Sequence, residues 1–219
     1  MLRKILPSFV GALLLIGPAA HADILYMTDS TNNQILKIDS AGNASVFAST
    51  PAGARPSSLA FDSSANLYVA YNGGVGQIER FSKTGLDLGL FATPNNFGPT
   101  SLAFDSSQNL YVMTDGAGTG NADVETFNKS GVYLNSFVIY SVAAGFALDS
   151  SANTYLGDSN SFNVIKVSPS GVGLGAFASF PSLYVRGIAL DGAGNVYISV
   201  TDFGSTYNLD KFSPTGALI

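Results

Sequence analysis

Short apolar runs of about five residues alternate with polar turns along almost the whole chain. Beyond residue 22 no stretch keeps the apolar period of 3.6 that an amphipathic helix needs. Strands of this length, punctuated by turn residues every 8–12 positions or so, predict an all-β fold. The runs also repeat. Leu59-Ala60-Phe61-Asp62 returns as Leu102-Ala103-Phe104-Asp105, Phe146-Ala147-Leu148-Asp149 and Ile188-Ala189-Leu190-Asp191. Four residues after each Asp stands an Asn: Asn66, Asn109, Asn153 and Asn195. A Tyr-aliphatic pair follows, at Tyr68-Val69, Tyr111-Val112, Tyr155-Leu156 and Tyr197-Ile198.

Each repeat reads as four strands. Strand A is the apolar run before the Asp, and strand B is the run around the Tyr. Between them lies a tight turn, most often Asp-Ser-Ser-Ala-Asn, whose Asp and Asn side chains bond nearby backbone amides. Strand C ends at Ile38, Phe81, Phe127, Val167 and Phe212. A second turn follows, as in Ser82-Lys83-Thr84-Gly85 and Ser168-Pro169-Ser170-Gly171, with Gly supplying a left-handed residue. Strand D carries Phe47, Phe91, Phe137 and Phe177. A tandem four-stranded unit of about 43 residues is the signature of a β-propeller blade. Stacked blades cover each other's faces, so strands A and B read as nearly unbroken apolar runs.

The repeats fall at about 23–58, 59–101, 102–145, 146–187 and 188–219, giving five sectors. The first begins at strand B, and the last stops where strand D begins. Two readings stay open: a five-bladed ring, or an incomplete ring from a chain cut short. Sheet edges left open would mark the second.

Gly187-Ile188-Ala189-Leu190-Asp191-Gly192-Ala193-Gly194-Asn195-Val196-Tyr197-Ile198 resembles the core of an NHL repeat, and Met27 to Ile38 resembles its second half. The resemblance spans nearly all of residues 23–219. The Arg of the family's N-R-I segment is absent, replaced by Gln34, Gln77, Asp123, Asn163 and Asn208. The resemblance implies kinship with six-bladed propellers of the gluconolactonase and strictosidine synthase-like type. It also implies that ligands sit among the D–A and B–C loops, with the A–B and C–D turns at the opposite end. Lactonases of that type hold a divalent metal with Glu, Asn and Asp, whereas both Glu of this chain, Glu79 and Glu125, fall in strand C.

Composition narrows the chemistry. With 46% hydrophobic and 11% charged residues, the chain is not of disordered type. It has no Cys, which excludes disulfides and thiolate-bound metals. An excess of 15 Asp and Glu over 10 Lys and Arg argues against nucleic acid as a partner. Residues 1–22 read as a secretory signal: Arg3 and Lys4, the apolar run Phe9 to Ile16, then Ala20-His21-Ala22. The run is too short to span a bilayer, and no later segment approaches that length. Cleavage after Ala22 removes the chain's one His, and with it every His-dependent acid–base or nucleophilic mechanism. The expectation is an exported bacterial protein, periplasmic or at the cell surface.

Candidate ligand-binding residues follow from loop position. The B–C loops offer Asp115, Asp158 and Asp202, with Asn72 in the second repeat. The D–A loops offer Arg55, Asn96, Phe97, Tyr184 and Arg186. Aromatics and Arg beside polar amides suit a protein, peptide or carbohydrate ligand. No catalytic residue and no cofactor is expected, apart from a Ca²⁺ candidate in the Gly-rich segment at Asp115, Asn121 and Asp123, where carboxylate and carbonyl oxygens could converge. The expected role is an exported binding or scaffold module. The alternatives are a metal-dependent lactonase of the gluconolactonase type and a structural surface protein.

Overall fold

The computed structural model describes residues 13–16, 24–74, 76–96, 98–115, 121–139, 143–158, 160–202, 204 and 207–219. Among these, every regular element is a β-strand. The protein is an all-β chain of the propeller class: five successive antiparallel meanders, four with four strands and one with three. It divides into two compact units, Met1–Leu102 and Ala103–Ile219.

The first unit holds two whole blades. Blade one is β1 (Leu13–Ile16), β2 (Ile24–Asp29), β3 (Gln34–Ile38) and β4 (Ala44–Ser49). Blade two is β5 (Pro56–Phe61), β6 (Leu67–Tyr71), β7 (Gln77–Phe81) and β8 (Asp87–Ala92). The first blade therefore has a strand A after all. Leu13–Ile16 pairs antiparallel with β2, from Leu13↔Met27 to Ile16↔Ile24. The physical reason is that the free edge of β2 carries unpaired amides and carbonyls, which an adjacent apolar strand satisfies.

Strand β9 (Pro99–Phe104) opens blade three and carries the chain into the second unit. There follow β10 (Leu110–Thr114), β11 (Ala122–Phe127) and β12 (Tyr133–Ile139). Blade four is β13 (Ala143–Leu148), β14 (Thr154–Asp158), β15 (Asn163–Val167) and β16 (Gly173–Ser179). Blade five is β17 (Tyr184–Leu190), β18 (Val196–Thr201) and β19 (Tyr207–Phe212). Its strand D is represented by a Phe212↔Leu218 bridge and the Ile219 amide donating to Lys211 O at 2.9 Å.

Strands A start earlier than the apolar signature suggests, at Pro56, Pro99, Ala143 and Tyr184 instead of at Leu59, Leu102, Phe146 and Ile188. The cause is irregular pairing that absorbs extra residues. Register shifts fall between Pro56 and Ser58, between Ala143 and Phe146, and between Val185 and Gly187. A bulge breaks the period-two pattern by which sequence announces a strand.

The A–B turns behave as turn formers. Asp62 Oδ1 accepts from the amides of Ser64 (2.9 Å) and Asn66 (2.8 Å), while Asn66 Nδ2 donates to Asp62 Oδ2 (2.9 Å). The same bonds recur at Asp105, Asp149 and Asp191. Ala65, Gln108 and Ala152 sit at positive φ in these turns without being Gly, held there by the surrounding bonds.

Burial follows strand order. The B strands β6 and β10 are buried throughout, and the D strands are largely exposed. In the first unit, Tyr26, Ile35 and Ala48 of blade one pack on Leu59, Leu67, Val69 and Phe81 of blade two. In the second unit, Tyr155 and Val164 of blade four pack on Val185, Ile198 and Phe212 of blade five. Each such large apolar side chain contributes about 1.5–3 kcal/mol when fully buried. Within a blade, the strand-B Tyr meets the strand-D Phe edge-on across strand C. The ring centroids are 5.0 Å apart for Tyr26–Phe47, 4.8 Å for Tyr68–Phe91 and 4.9 Å for Tyr155–Phe177.

Candidate functional site

The loops where the sequence places ligand contacts are knitted together in the first unit. Asn33, at the end of the first B–C loop, has φ 51°. Its carbonyl accepts from the Thr50 amide (2.9 Å), and its Oδ1 accepts from the Gly53 amide (3.1 Å). In the next pair of loops, the Asn72 amide donates to Arg55 O (3.1 Å) and the Gly73 amide to Ala54 O (2.9 Å). Gly73 permits this approach, because a Cβ there would stand 2.0 Å from Gly53 O. Arg55 is itself held at φ 51°, and both Arg55 and Asn72 are exposed. These short loops thus form a rigid, solvent-facing platform carrying a guanidinium and an amide.

The carboxylates of the B–C loops are engaged by their own loops. Asp29 accepts from the Asn32 amide (3.0 Å), Asn32 Nδ2 (2.7 Å) and Gln34 Nε2 (2.9 Å). Burial pushes its carboxyl up, but these donors outweigh it and hold the group below the ordinary carboxylate value. Asp158, the last residue of β14, accepts from the amides of Asn160 and Ser161 and from the Ser161 hydroxyl. Asp202 accepts from the Gly204 amide at 2.7 Å. These groups brace loop geometry.

The remaining sequence candidates fall in different places. Arg186 belongs to strand β17, where it is the residue the register skips, and is exposed. Tyr184 starts that strand and packs edge-on against Phe162, with centroids 5.1 Å apart. Asn96 is half-buried, and Phe97 lies outside the described residues. In the calcium candidate, Asp115 is exposed and Asn121 half-buried, while 116–120 lie outside the described residues. Asp123 is a buried member of β11, paired opposite Thr114. Burial and the neighbouring Glu125 push its carboxyl up.

A second concavity lies where sequence reading assigned ordinary turns. A cavity of about 520 Å³ opens between blades four and five, bounded by Leu148, Asp149 and Lys166 on one side and Leu190, Asp191 and Pro214 on the other. Lys166 Nζ stands 2.9 Å from Asp149 Oδ2 and donates to Tyr155 Oη at 2.7 Å. It also lies 4.7 Å from the centre of the Tyr155 ring. The detectable signal was the pairing of strand B with strand C, which sets Tyr26 opposite Lys37, Tyr68 opposite Arg80, Tyr155 opposite Lys166 and Tyr197 opposite Lys211.

Four-stranded meanders, Tyr–Phe packing and interlocked end loops define a β-propeller. Residues 18–116 match the family described as the SMP-30/Gluconolactonase/LRE-like region. No curated protein matches the chain significantly. Several solved structures share the fold at low identity. A gluconolactonase from Xanthomonas campestris is 17% identical, with a TM-score of 0.71 over 89% of this chain and 70% of that one. A virginiamycin B lyase from Staphylococcus aureus is 14% identical, with a TM-score of 0.71 over 98% and 71%. A protein of unknown function from Bacteroides caccae is 13% identical, with a TM-score of 0.70 over 94% and 78%.

Both Glu of the chain lie on strands C, Glu79 on β7 and Glu125 on β11. Glu79 accepts from Tyr71 Oη at 3.0 Å, and Glu125 is wholly buried within β11. Among the described residues, no three His, Cys, Asp or Glu side chains gather as a metal requires.

Proposed function

We propose that the chain is an exported binding module whose recognition surface is the platform of B–C and D–A loops, taking a protein, peptide or carbohydrate ligand. The observation that carries this reading is the backbone knit of Ala54 and Arg55 to Asn72 and Gly73. Loops fixed in this way present Arg55 and Asn72 to solvent at little ordering cost on binding. Asp29, Asp158 and Asp202, by contrast, accept hydrogen bonds from their own loops, which suits scaffolding better than general-base catalysis. Glycan and peptide arrays probed with the wild-type protein and with Arg55→Ala and Asn72→Ala test it. Array signals that both variants lose are expected; signals identical in all three proteins overturn the platform.

A gluconolactonase-type hydrolase is the second reading, favoured by the match over residues 18–116. Turnover of a sugar lactone that depends on added Ca²⁺, Zn²⁺ or Mn²⁺ would replace the binding reading with this one.

Export rests on the charged start, the apolar run and the Ala20-His21-Ala22 site. Leu13–Ile16 pairs with β2 in the full chain, so cleavage would strip a strand from blade one. Intact mass of the protein recovered outside the cytoplasm distinguishes a start at Asp23 from an uncleaved chain.

A further inference from the structure

We propose that the cavity between blades four and five is a second ligand site, independent of the loop platform, and that it takes a neutral carbohydrate ring.

The A–B turn of blade five reads Asp191-Gly192-Ala193-Gly194-Asn195, where blades two and four read Asp-Ser-Ser-Ala-Asn. The backbone does not demand glycine at the fourth place. Gly194 has φ 80°, and the equivalent Ala65, Gln108 and Ala152 stand at 62°, 64° and 60°. A Cβ on Gly194 would come into ordinary contact with Pro214 Cγ at 3.4 Å, and a Cβ on Gly192 would enter open space. Both glycines bound the cavity. They thin its wall on the blade-five side.

Leu148, Leu190 and Pro214 supply apolar surface, while Lys166, Asp149 and Asp191 supply both signs of charge. The Lys166 ammonium has three donors and spends two, on Asp149 and Tyr155. The Asp149 and Asp191 carboxylates are largely taken up by their own turns, by Lys166 and by Tyr197. A pyranose ring matches this set: one face of C–H groups for the apolar wall, and a hydroxyl that accepts from the remaining donor of the ammonium. Charge disfavours the competitors. Two carboxylates beside one ammonium leave a net negative charge that repels a phosphate or sulfate. The volume suits one or two sugar rings.

The test is an amide NMR titration of the full chain with methyl β-glucoside, cellobiose and N-acetylglucosamine, and with inorganic sulfate. Saturable shifts at Gly192, Gly194 and Lys166 with at least one sugar, and none with sulfate, are expected. The double variant Gly192→Ser, Gly194→Ala restores the turn of blades two and four, so it retains the native spectrum elsewhere. It should bind at least roughly tenfold more weakly. Arg55→Ala should bind these sugars unchanged at this site, which separates it from the loop platform. No saturable shift with any of the three sugars, equal binding by the double variant, or tighter binding of sulfate overturns the proposal.

Discussion

Lys166 Nζ lies 2.9 Å from Asp149 Oδ2, joining the middle of strand C to the A–B turn of the same blade. The pair is three-quarters or more buried, and Tyr155 Oη accepts a further hydrogen bond from the ammonium. Burial raises the Asp149 carboxyl, but the bonds from Lys166 and Asn153 outweigh it and hold it below its ordinary 3.8. Burial lowers the Lys166 ammonium, but Asp149 and Tyr155 outweigh it and hold it above its ordinary 10.5. Asp149 therefore contributes stability that is complete above its unfolded value and lost as pH falls through the lower folded one. Lys166 contributes stability that is complete below its unfolded value and lost as pH rises through the higher folded one. Lys166→Met should cost about 1 kcal/mol, a fall in Tm of about 2–4 °C, between pH 5 and 9. Melting curves across pH check this; the loss should shrink towards pH 3 and above pH 11.

The repeated turn Asp makes a sharper local prediction. Asp105 holds the amides of Ser107 and Asn109 and the Asn109 side chain. Asp105→Ala should destabilise by about 1–2 kcal/mol, whereas Asp105→Asn, which keeps an acceptor, should cost less than half of that. Urea unfolding with an unchanged slope is the measurement.

Two glycines at matching turns separate conformational strain from collision. Gly42 and Gly85 have φ 85° and 86°, but a Cβ on Gly42 meets nothing, while one on Gly85 would stand 2.1 Å from Phe47 O. Gly42→Ala should cost about 1–2 kcal/mol, the left-handed penalty alone. Gly85→Ala should cost about 3 kcal/mol or more, because the blade-one backbone must shift. Equal losses for the two variants would contradict this assignment.

Asp123 predicts a gain. Its carboxyl is pushed up by burial and by Glu125, so ionisation opposes folding. A raised carboxyl is harmless below its unfolded value and costs stability as pH rises through the folded one. Asp123→Asn should therefore raise Tm at pH 7.5, with the gain disappearing near pH 4. Glu125→Gln should bring the Asp123 carboxyl down, as followed by carboxyl-carbon NMR titration.

Much of the fold was legible because its causes are contiguous. The Asp and Asn of each A–B turn bond across four residues, so the repeat announces itself as a fixed spacing. The early starts of the A strands were not legible, because bulges at Ser57 and Arg186 break the alternation that marks a strand. Nor was strand β1, whose Leu13–Ile16 reads equally as a signal core; the free edge of β2 is what gives it a partner. Among the site candidates, Asp158 and Asp202 have the composition of ligand-binding carboxylates, and their engagement with Ser161 and Gly204 appears once the loops are closed.

The sequence by itself determined the all-β class, the blade period, the turn chemistry and the exclusion of Cys-based chemistry, since each depends on residues within a few positions or on residue inventory. Tertiary structure decided which loops interlock around Gly73 and where a cavity opens. Those depend on distances between blades: Gly192 and Gly194 look like ordinary turn glycines until the Pro214 turn and Lys166 are set beside them.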